Sequence, residues 1–257
     1  MRTAIIAIAK NEELYIQEWL EYHLNLGFDK IIVADNDDTP ILKRFESDQV
    51  IIEDYTNVVG VQVKAYSELF DKYRNQFDWL FFIDIDEFLV IEDGSDVKTF
   101  LSSFPQDKII RLNWKVYNDN DMLDVVDDDY NVVKRFTKEA EKTELNTFVK
   151  SFIPTNVQVE HPKVCGHGIY LTKLKAVNAL GERCVNYNQH SQNVIHKKAW
   201  INHYMTKTIG EYIRQKYNRG GSNNNPNRYK KWEEYFFKTN KKTQEKIDYA
   251  NKIIKGG

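Results

Sequence analysis

Apolar residues fill positions 3–9 without interruption, and the run stops at Lys10 and Asn11. A continuous run of this length predicts a strand buried on both faces that ends in a polar loop. Next, Asn11 reads as an N-cap. Glu12 and Glu13 suit the positive end of a helix dipole, and Ile16, Trp19, Leu20, His23 and Leu24 recur at helical spacing until Gly27 offers a C-cap. A second apolar strand over 30–34 halts at Asp35, Asn36, Asp37 and Asp38, and a third is expected over 50–54. Val61, Ala65, Tyr66, Leu69, Phe70 and Tyr73 trace another helix. It leads into 79–83, the most hydrophobic strand of the chain, and Asp84, Ile85, Asp86 and Glu87 follow at once.

This alternation predicts an α/β fold with an open, mostly parallel sheet, Rossmann-like, flanked by helices and wound with right-handed crossovers. Ligands of such sheets bind beyond the C-terminal ends of the strands, which makes Asp35 and the Asp84/Asp86 pair candidate neighbours. Further on, the pattern predicts a short helix over 95–104 and a strand over 108–117. An exposed, mobile loop is expected to carry Asp119, Asp121, Asp124, Asp127, Asp128 and Asp129. Short strands of alternating polarity are expected over 146–171, around Glu160, His161, Cys165 and His167. From residue 206 the chain reads as helical. Thr208 and Glu211 form a capping box that opens 212–217, and Arg219 to Pro226 breaks the chain before the last helices.

Composition narrows the classes. Of 257 residues, 36 Lys and Arg face 38 Asp and Glu, a net charge of −2, so no nucleic-acid partner is indicated. With 42% hydrophobic and 13% aromatic residues the chain can bury a sizeable core. Its apolar runs fall well short of the roughly 20 residues that a spanning helix needs. The first strand begins directly after Met1 and Arg2 with no secretory pattern, so a cytoplasmic setting is expected. Cys165 and Cys184 are too few for a disulfide framework.

The sharpest chemical feature is Asp84-Ile85-Asp86. Two carboxylates at the end of a buried strand can hold one hard cation, Mn²⁺ or Mg²⁺, whose other face binds a diphosphate leaving group. Alternatively they cap the next turn or pair with Lys and Arg. Asp35 can accept from a ribose or base edge, or close an Asx-turn. Lys10 borders the same crevice. His203, beside Tyr204, can supply a third metal ligand, and Lys207 a phosphate contact. His161, Cys165, His167, Cys184, His190 and His196 raise structural zinc as a minor rival, although their spacing fits no usual pattern. Hydrolase, P-loop and dinucleotide signatures are absent from the sequence. The last thirty residues hold nine Lys or Arg against four Asp or Glu, interleaved with Tyr229, Trp232, Tyr235, Phe236 and Phe237. Such a segment can rest peripherally on an anionic inner membrane surface, or simply pack its aromatics inward.

The run from Ala4 to Glu13, Trp19-Leu20-Glu21-Tyr22-His23, Gly27-Phe28, Asp35-Asn36, the stretch from Trp79 to Phe88, and Ile201-Asn202-His203-Tyr204 occur in this order. Together they resemble the family 2-like glycosyltransferases close to family 92, which have a GT-A fold. The likeness covers about the first 115 residues well and Phe148 to Gly221 more loosely. It implies that Asp84 and Asp86 bind the divalent ion and diphosphate of a nucleotide sugar. Lys10, Asn11, Asp35 and Lys207 would serve the donor, and His203 the metal. Lys150 and His161 match a family Lys followed by His, and Trp114 matches a family Trp. The Phe-Gly usual after that Trp is replaced by Val116, Tyr117, Asn118 and Asp119. The implied organisation is a nucleotide-sugar half over 1–115, an acceptor half over 116–205 and a helical segment over 206–257. The implied reaction moves a sugar, most simply from a UDP-sugar, to a hydroxyl of a glycan or glycolipid in bacterial-type surface polysaccharide or lipopolysaccharide synthesis. It would proceed with inversion, with a base among Asp119, Asp124, Glu160 and His161. The rival readings are a metal-dependent nucleotidyltransferase or phosphatase, and a non-catalytic glycan-binding scaffold.

Overall fold

The N-terminal run becomes β1 (Thr3–Ala9), in which alternate side chains enter opposite faces of a sheet, Ala4 and Ile6 on one and Ile5, Ala7 and Ala9 on the other. A computed structural model describes residues 1–58, 60–141, 144–156, 163–165, 167–170, 175–184, 189–219 and 230–256. In it β2 (Lys30–Asp35), β3 (Val50–Asp54) and β4 (Trp79–Phe82) extend β1 in parallel, in the order β3-β2-β1-β4. Helix α1 (Ile16–Asn25) covers the face of Ile5, Val33 and Phe81, while α2 (Val61–Tyr73) covers that of Ile6, Ile32 and Phe82. The short α3 (Val97–Ser102) joins α1's face. These crossovers leave all the parallel C-terminal ends on one edge of the sheet.

Beyond β4 the sheet becomes mixed. The strand β7 (Val149–Pro154) runs antiparallel to both β4 and β6 (Lys108–Val116), and β10 (Lys175–Asn178) and β11 (Arg183–Cys184) finish that side. A strand not expected from the sequence, β5 (Glu87–Ile91), starts directly after the acidic turn and pairs antiparallel with β12 (Ala199–His203), which also lies parallel to β6. Strands from 1–115 and from the following segment thus share one sheet. A separate hairpin joins β8 (Lys163–Cys165) to β9 (Gly168–Tyr170).

Two local expectations are corrected, and of the two readings of the tail one is supported. Asn11 does not cap α1: it takes a left-handed φ of 56°, and a turn through Glu12 delays the helix to Ile16 with Tyr15 at its cap. The acidic loop is not uniformly exposed. Asp119 is buried against Lys246 at 2.6 Å, and Asp124 is held by Arg214 and by the Tyr249 hydroxyl at 2.6 Å, while the single turn α4 (Val132–Arg135) closes the loop. The basic aromatic tail also turns inward. Trp232 and Phe236 of α6 (Trp232–Phe236) and Ala250 of α7 (Gln244–Gly256) pack on Ile209, Tyr212 and Ile213. Membrane contact therefore gains no support from these aromatics. Among the described residues no helix is long and apolar enough to cross a membrane.

The capping box at Thr208 forms as expected and opens α5 (Ile209–Tyr212), which widens into a π-type turn over Ile213–Tyr217. Gly210 is required there. A Cβ on it would lie 2.5 Å from the Asp124 carboxylate, which Arg214 and Tyr249 prevent from yielding. Gly210→Ala is therefore expected to lower stability by about 1–3 kcal/mol despite alanine's better helix propensity. In thermal unfolding this is a drop of several degrees. An unchanged or higher melting temperature would show that Asp124 moves freely.

Candidate functional site

Three polar loops meet at the parallel strands' C-terminal edge: Lys10 to Glu12 after β1, Asp35 to Asp38 after β2, and Asp84 to Glu87 after β4. The antiparallel partners complete the crevice. In the β5–β12 register His203 stands opposite Glu87, and β7 carries Lys150 beside the Ser151–Phe82 pair. The π-type turn brings Gln215 and Lys216, and Arg219 follows.

Lys150 is the hub. Fully buried, its ammonium lies 2.7 Å from Asp84 Oδ2 and 3.1 Å from Glu87 Oε2, with the Trp114 ring centroid 6.0 Å away. The backbone N–H of Asp84 donates to Glu87 Oε2 at 3.0 Å, and Tyr66 donates to Asp84 Oδ1 at 3.3 Å. Asp86 Oδ2 accepts from Lys216 at 2.6 Å, and its Oδ1 lies 3.4 Å from His203 Nε2. The aspartates therefore answer to two different lysines. Asp84 keeps a third of its side chain exposed, whereas Asp86 and Glu87 are buried.

Electrostatics follow from this pairing. Burial pushes the Asp84 carboxyl up, but Lys150 outweighs it and holds the group below its ordinary value. Asp86 is held well below, because Lys216 and His203 overcome its burial. Glu87 goes the other way. Burial drives it up to about 8, Lys150 offsets only part, and the neighbouring Asp84 and Asp86 add to the rise. Burial also lowers His203, against the pull of Asp86, and lowers Lys207, against Glu12 and Asp86.

The other expected residues divide. Lys207, with a left-handed φ of 53°, is buried in this cluster, 3.3 Å from Gln215 Oε1, 4.0 Å from Glu12 and 4.0 Å above the Tyr15 ring. Lys10 sits at the rim on Asp38 at 2.8 Å, and the Asn11 N–H donates to Asp37 Oδ1 at 2.6 Å. Asp35 is fully buried and accepts from the N–H groups of Asp37 and Leu42, both at 3.1 Å, so here its carboxylate shapes the loop instead of facing the crevice. Asp37 has a buried oxygen without a partner, and burial, reinforced by Asp35, raises it to about 6. Asp124 and Asp119, both candidate bases, are occupied by Arg214, Tyr249 and Lys246, far down the chain. Their oxygens anchor the C-terminal helices. Glu160 and His161 lie outside the described residues. The zinc alternative finds no cluster among the described residues: His167, His190 and His196 bond Val149, Thr147 and Trp114 separately.

The site roles of Glu87 and Lys216 leave no mark in the sequence pattern. Glu12, expected at the helix dipole and the crevice border, is buried and bonded by Gln215 and Arg219, both at 2.7 Å. Lys216 carries no local signal, since its partner lies 130 positions earlier.

The donor chemistry allows a test for a divalent ion. Among the described residues no three His, Cys, Asp or Glu side chains already converge. However, Glu87 Oε1 and His203 Nδ1 are both buried without a hydrogen-bond partner, 3.9 Å apart. A cation on His203 Nε2 would fix the proton on Nδ1, facing Glu87, the carboxylate–histidine–metal arrangement. Asp86 and His203 therefore fit such an ion, with Asp84 the remaining carboxylate of the same turn.

Ligands of open α/β sheets bind in the crevice beyond the strands' C-terminal ends, and the paired carboxylates, the buried lysines and His203 stand there. Residues 6–254 match glycosyltransferase family 92, and the chain belongs to that family. Among solved structures the chain is similar to GalNAc-T7, crystallised with UDP, GalNAc and Mn²⁺, at 11% identity and a TM-score of 0.34. That likeness covers 46% of this chain and 23% of the other, so this chain spans under a quarter of the neighbour's length. No curated protein matches the chain.

Glu87 supplies a pH prediction. An acid whose folded pKa is raised contributes stability that is fully present below its ordinary value of 4.5 and is lost as pH climbs through about 8. Glu87→Gln removes that loss. Relative to wild type, the variant's unfolding free energy should rise steadily between pH 5 and pH 8, by at most about 1.4 kcal/mol per pH unit, and its melting temperature should rise with it. A difference independent of pH would mean that Glu87 is ionised throughout.

Proposed function

We propose that this glycosyltransferase has the GT-A type of donor site and transfers a sugar from a nucleotide diphosphate donor, a UDP-sugar in the simplest case, to a glycan or glycolipid hydroxyl with inversion. The observation that carries the reading is the turn Asp84 to Glu87, set at the end of β4, charge-balanced by Lys150 and Lys216, with His203 beside Asp86. Asp84, Asp86 and His203 would hold Mn²⁺ or Mg²⁺, which when bound supplies positive charge to a diphosphate leaving group. The chain's own groups do the rest. Lys216 bonds Asp86 and the charge of the buried Lys207 also reaches it, so an entering diphosphate meets two ammoniums already desolvated, where electrostatic help is largest. Lys10, Asn11 and Asp37 border the space toward β2, where a nucleoside would lie. The buried Glu12, bonded by Arg219 and Gln215, holds the C-terminal segment over this edge.

Asp86→Asn keeps the shape of the side chain but loses the charge that Lys216 and His203 face. It should lower transfer at least ~10³-fold, an effect of the size expected when a charge-stabilising group is removed from an active site. The check is a thermal-shift panel of nucleotide sugars with and without Mn²⁺, read against transfer. Wild type should be stabilised by one nucleotide class in a Mn²⁺-dependent way and the variant should not. Wild type that binds no nucleotide would sink the donor assignment and favour a glycan-binding scaffold. Release of free phosphate from the donor would favour the phosphatase reading.

A further inference from the structure

Resting on the transfer reaction just proposed, we infer that His167 is the general base that takes the proton of the acceptor hydroxyl. The two nitrogens of its ring have different surroundings. Nδ1 lies 2.8 Å from the carbonyl oxygen of Val149, which can only accept, so Nδ1 carries the proton and donates. This leaves Nε2 with its lone pair, and Nε2 has no hydrogen-bond partner among the described residues. A backbone carbonyl therefore fixes the tautomer that a base requires, as the orienting carboxylate does in a catalytic triad.

Its place in the fold is equally fixed. The Ser151 hydroxyl donates to the carbonyl oxygen of His167 at 2.8 Å. Val149 and Ser151 flank Lys150, so the two bonds hold His167 astride the residue that pairs Asp84 and Glu87. The charges that reach the ring are those of Lys150, Asp84 and His203. Burial and the nearby Lys150 ammonium keep the imidazole at about 4 and hence neutral near pH 7. Trp114 and Phe148 pack on it, each with its ring centroid 5.6 Å away. An aromatic wall suits a neutral nucleophile such as a sugar hydroxyl. Asp119 and Asp124 cannot compete, since Lys246 and Arg214 occupy them.

The step balances simply. The acceptor O–H bond breaks and its proton passes to His167 Nε2, while the acceptor oxygen bonds the anomeric carbon. The bond from that carbon to the diphosphate oxygen breaks, and its electron pair leaves with the nucleoside diphosphate. The imidazolium then returns its proton to solvent.

His167→Asn separates the base from the structural role, because the asparagine amide can still donate to the Val149 carbonyl but offers no basic nitrogen. The assay is UDP release from UDP-glucose, UDP-galactose and UDP-N-acetylglucosamine with methyl glycosides as acceptors, beside calorimetric UDP binding and the melting temperature. His167→Asn should bind UDP within about twofold of wild type, melt close to it, and lose ~10²–10⁴-fold in kcat. His167→Ala should lose as much, and added imidazole should restore part of its rate. A His167→Asn enzyme that keeps more than a tenth of wild-type kcat, or a His167→Ala enzyme that imidazole does not help, would overturn the assignment. Failure of the donor reading shows differently, as a wild type that neither binds UDP nor releases it.

Discussion

A single buried ammonium governs the organisation of this crevice. β4 is apolar and fully buried, and the chain leaves it directly into Asp84, Asp86 and Glu87. Three carboxylates against such a core would be expelled or protonated if nothing opposed them. Lys150 opposes them, reaching two of the three from a position with no solvent access. Its presence follows from topology: β7 runs antiparallel between β4 and β6, so residues 148–151 pass the mouth of β4. Buried ion pairs contribute little net stability, but removing one partner is costly because the other stays buried and unpaired. Lys150 thus makes the acidic turn possible more than it makes the protein stable.

The remaining charges form a hierarchy around that pair. Asp86 is turned to Lys216 and His203, away from Lys150, so the two aspartates of the Asp-Ile-Asp run are held by different parts of the chain. Glu87, with one partner and two like-charged neighbours, bears the electrostatic cost, and its raised pKa records it. Such an arrangement is poised for exchange. Under the proposed function, a diphosphate entering near Lys216 and Lys207 would compete for ammoniums already buried, and the carboxylates they release would be the ones able to take a cation.

Much of the parallel half was legible in the sequence because its signals are local. Continuous apolar runs over 3–9, 30–34 and 79–82 have one structural solution once helices separate them, and the abrupt Asp84-Ile85-Asp86 marks where the chain leaves the core. Features that depend on distant partners were not legible. Asp119 and Asp124 look like solvated loop carboxylates until Lys246 and Arg214 arrive from the C-terminal helices. Asn11 looks like a cap because nothing nearby reveals that Asp37 holds its backbone in a left-handed turn. β5 was hidden because Glu87 to Ile91 gains strand character only by pairing with β12 more than a hundred residues later.

The distribution of these long-range contacts says how the crevice is built. Its floor comes from β1, β2 and β4, and its wall from β7 and β12. Its far rim comes from the π-type turn and the residues just after it, where Gln215, Lys216 and Arg219 reach back to Asn11, Glu12, Asp86 and Lys10. A π-type turn shifts side-chain directions relative to a regular helix, and such turns recur at functional sites. Here it aims Gln215 and Lys216 at two different carboxylates, Glu12 and Asp86, within one turn. That turn is seated by the Thr208–Glu211 capping box, by the Arg135–Glu211 pair and by the core of Tyr212, Ile213, Trp232 and Phe236. The apolar packing of the C-terminal helices therefore acts on the charge of the site: it sets the position of Lys216, and through Lys216 the share of Asp86 left for any other cation.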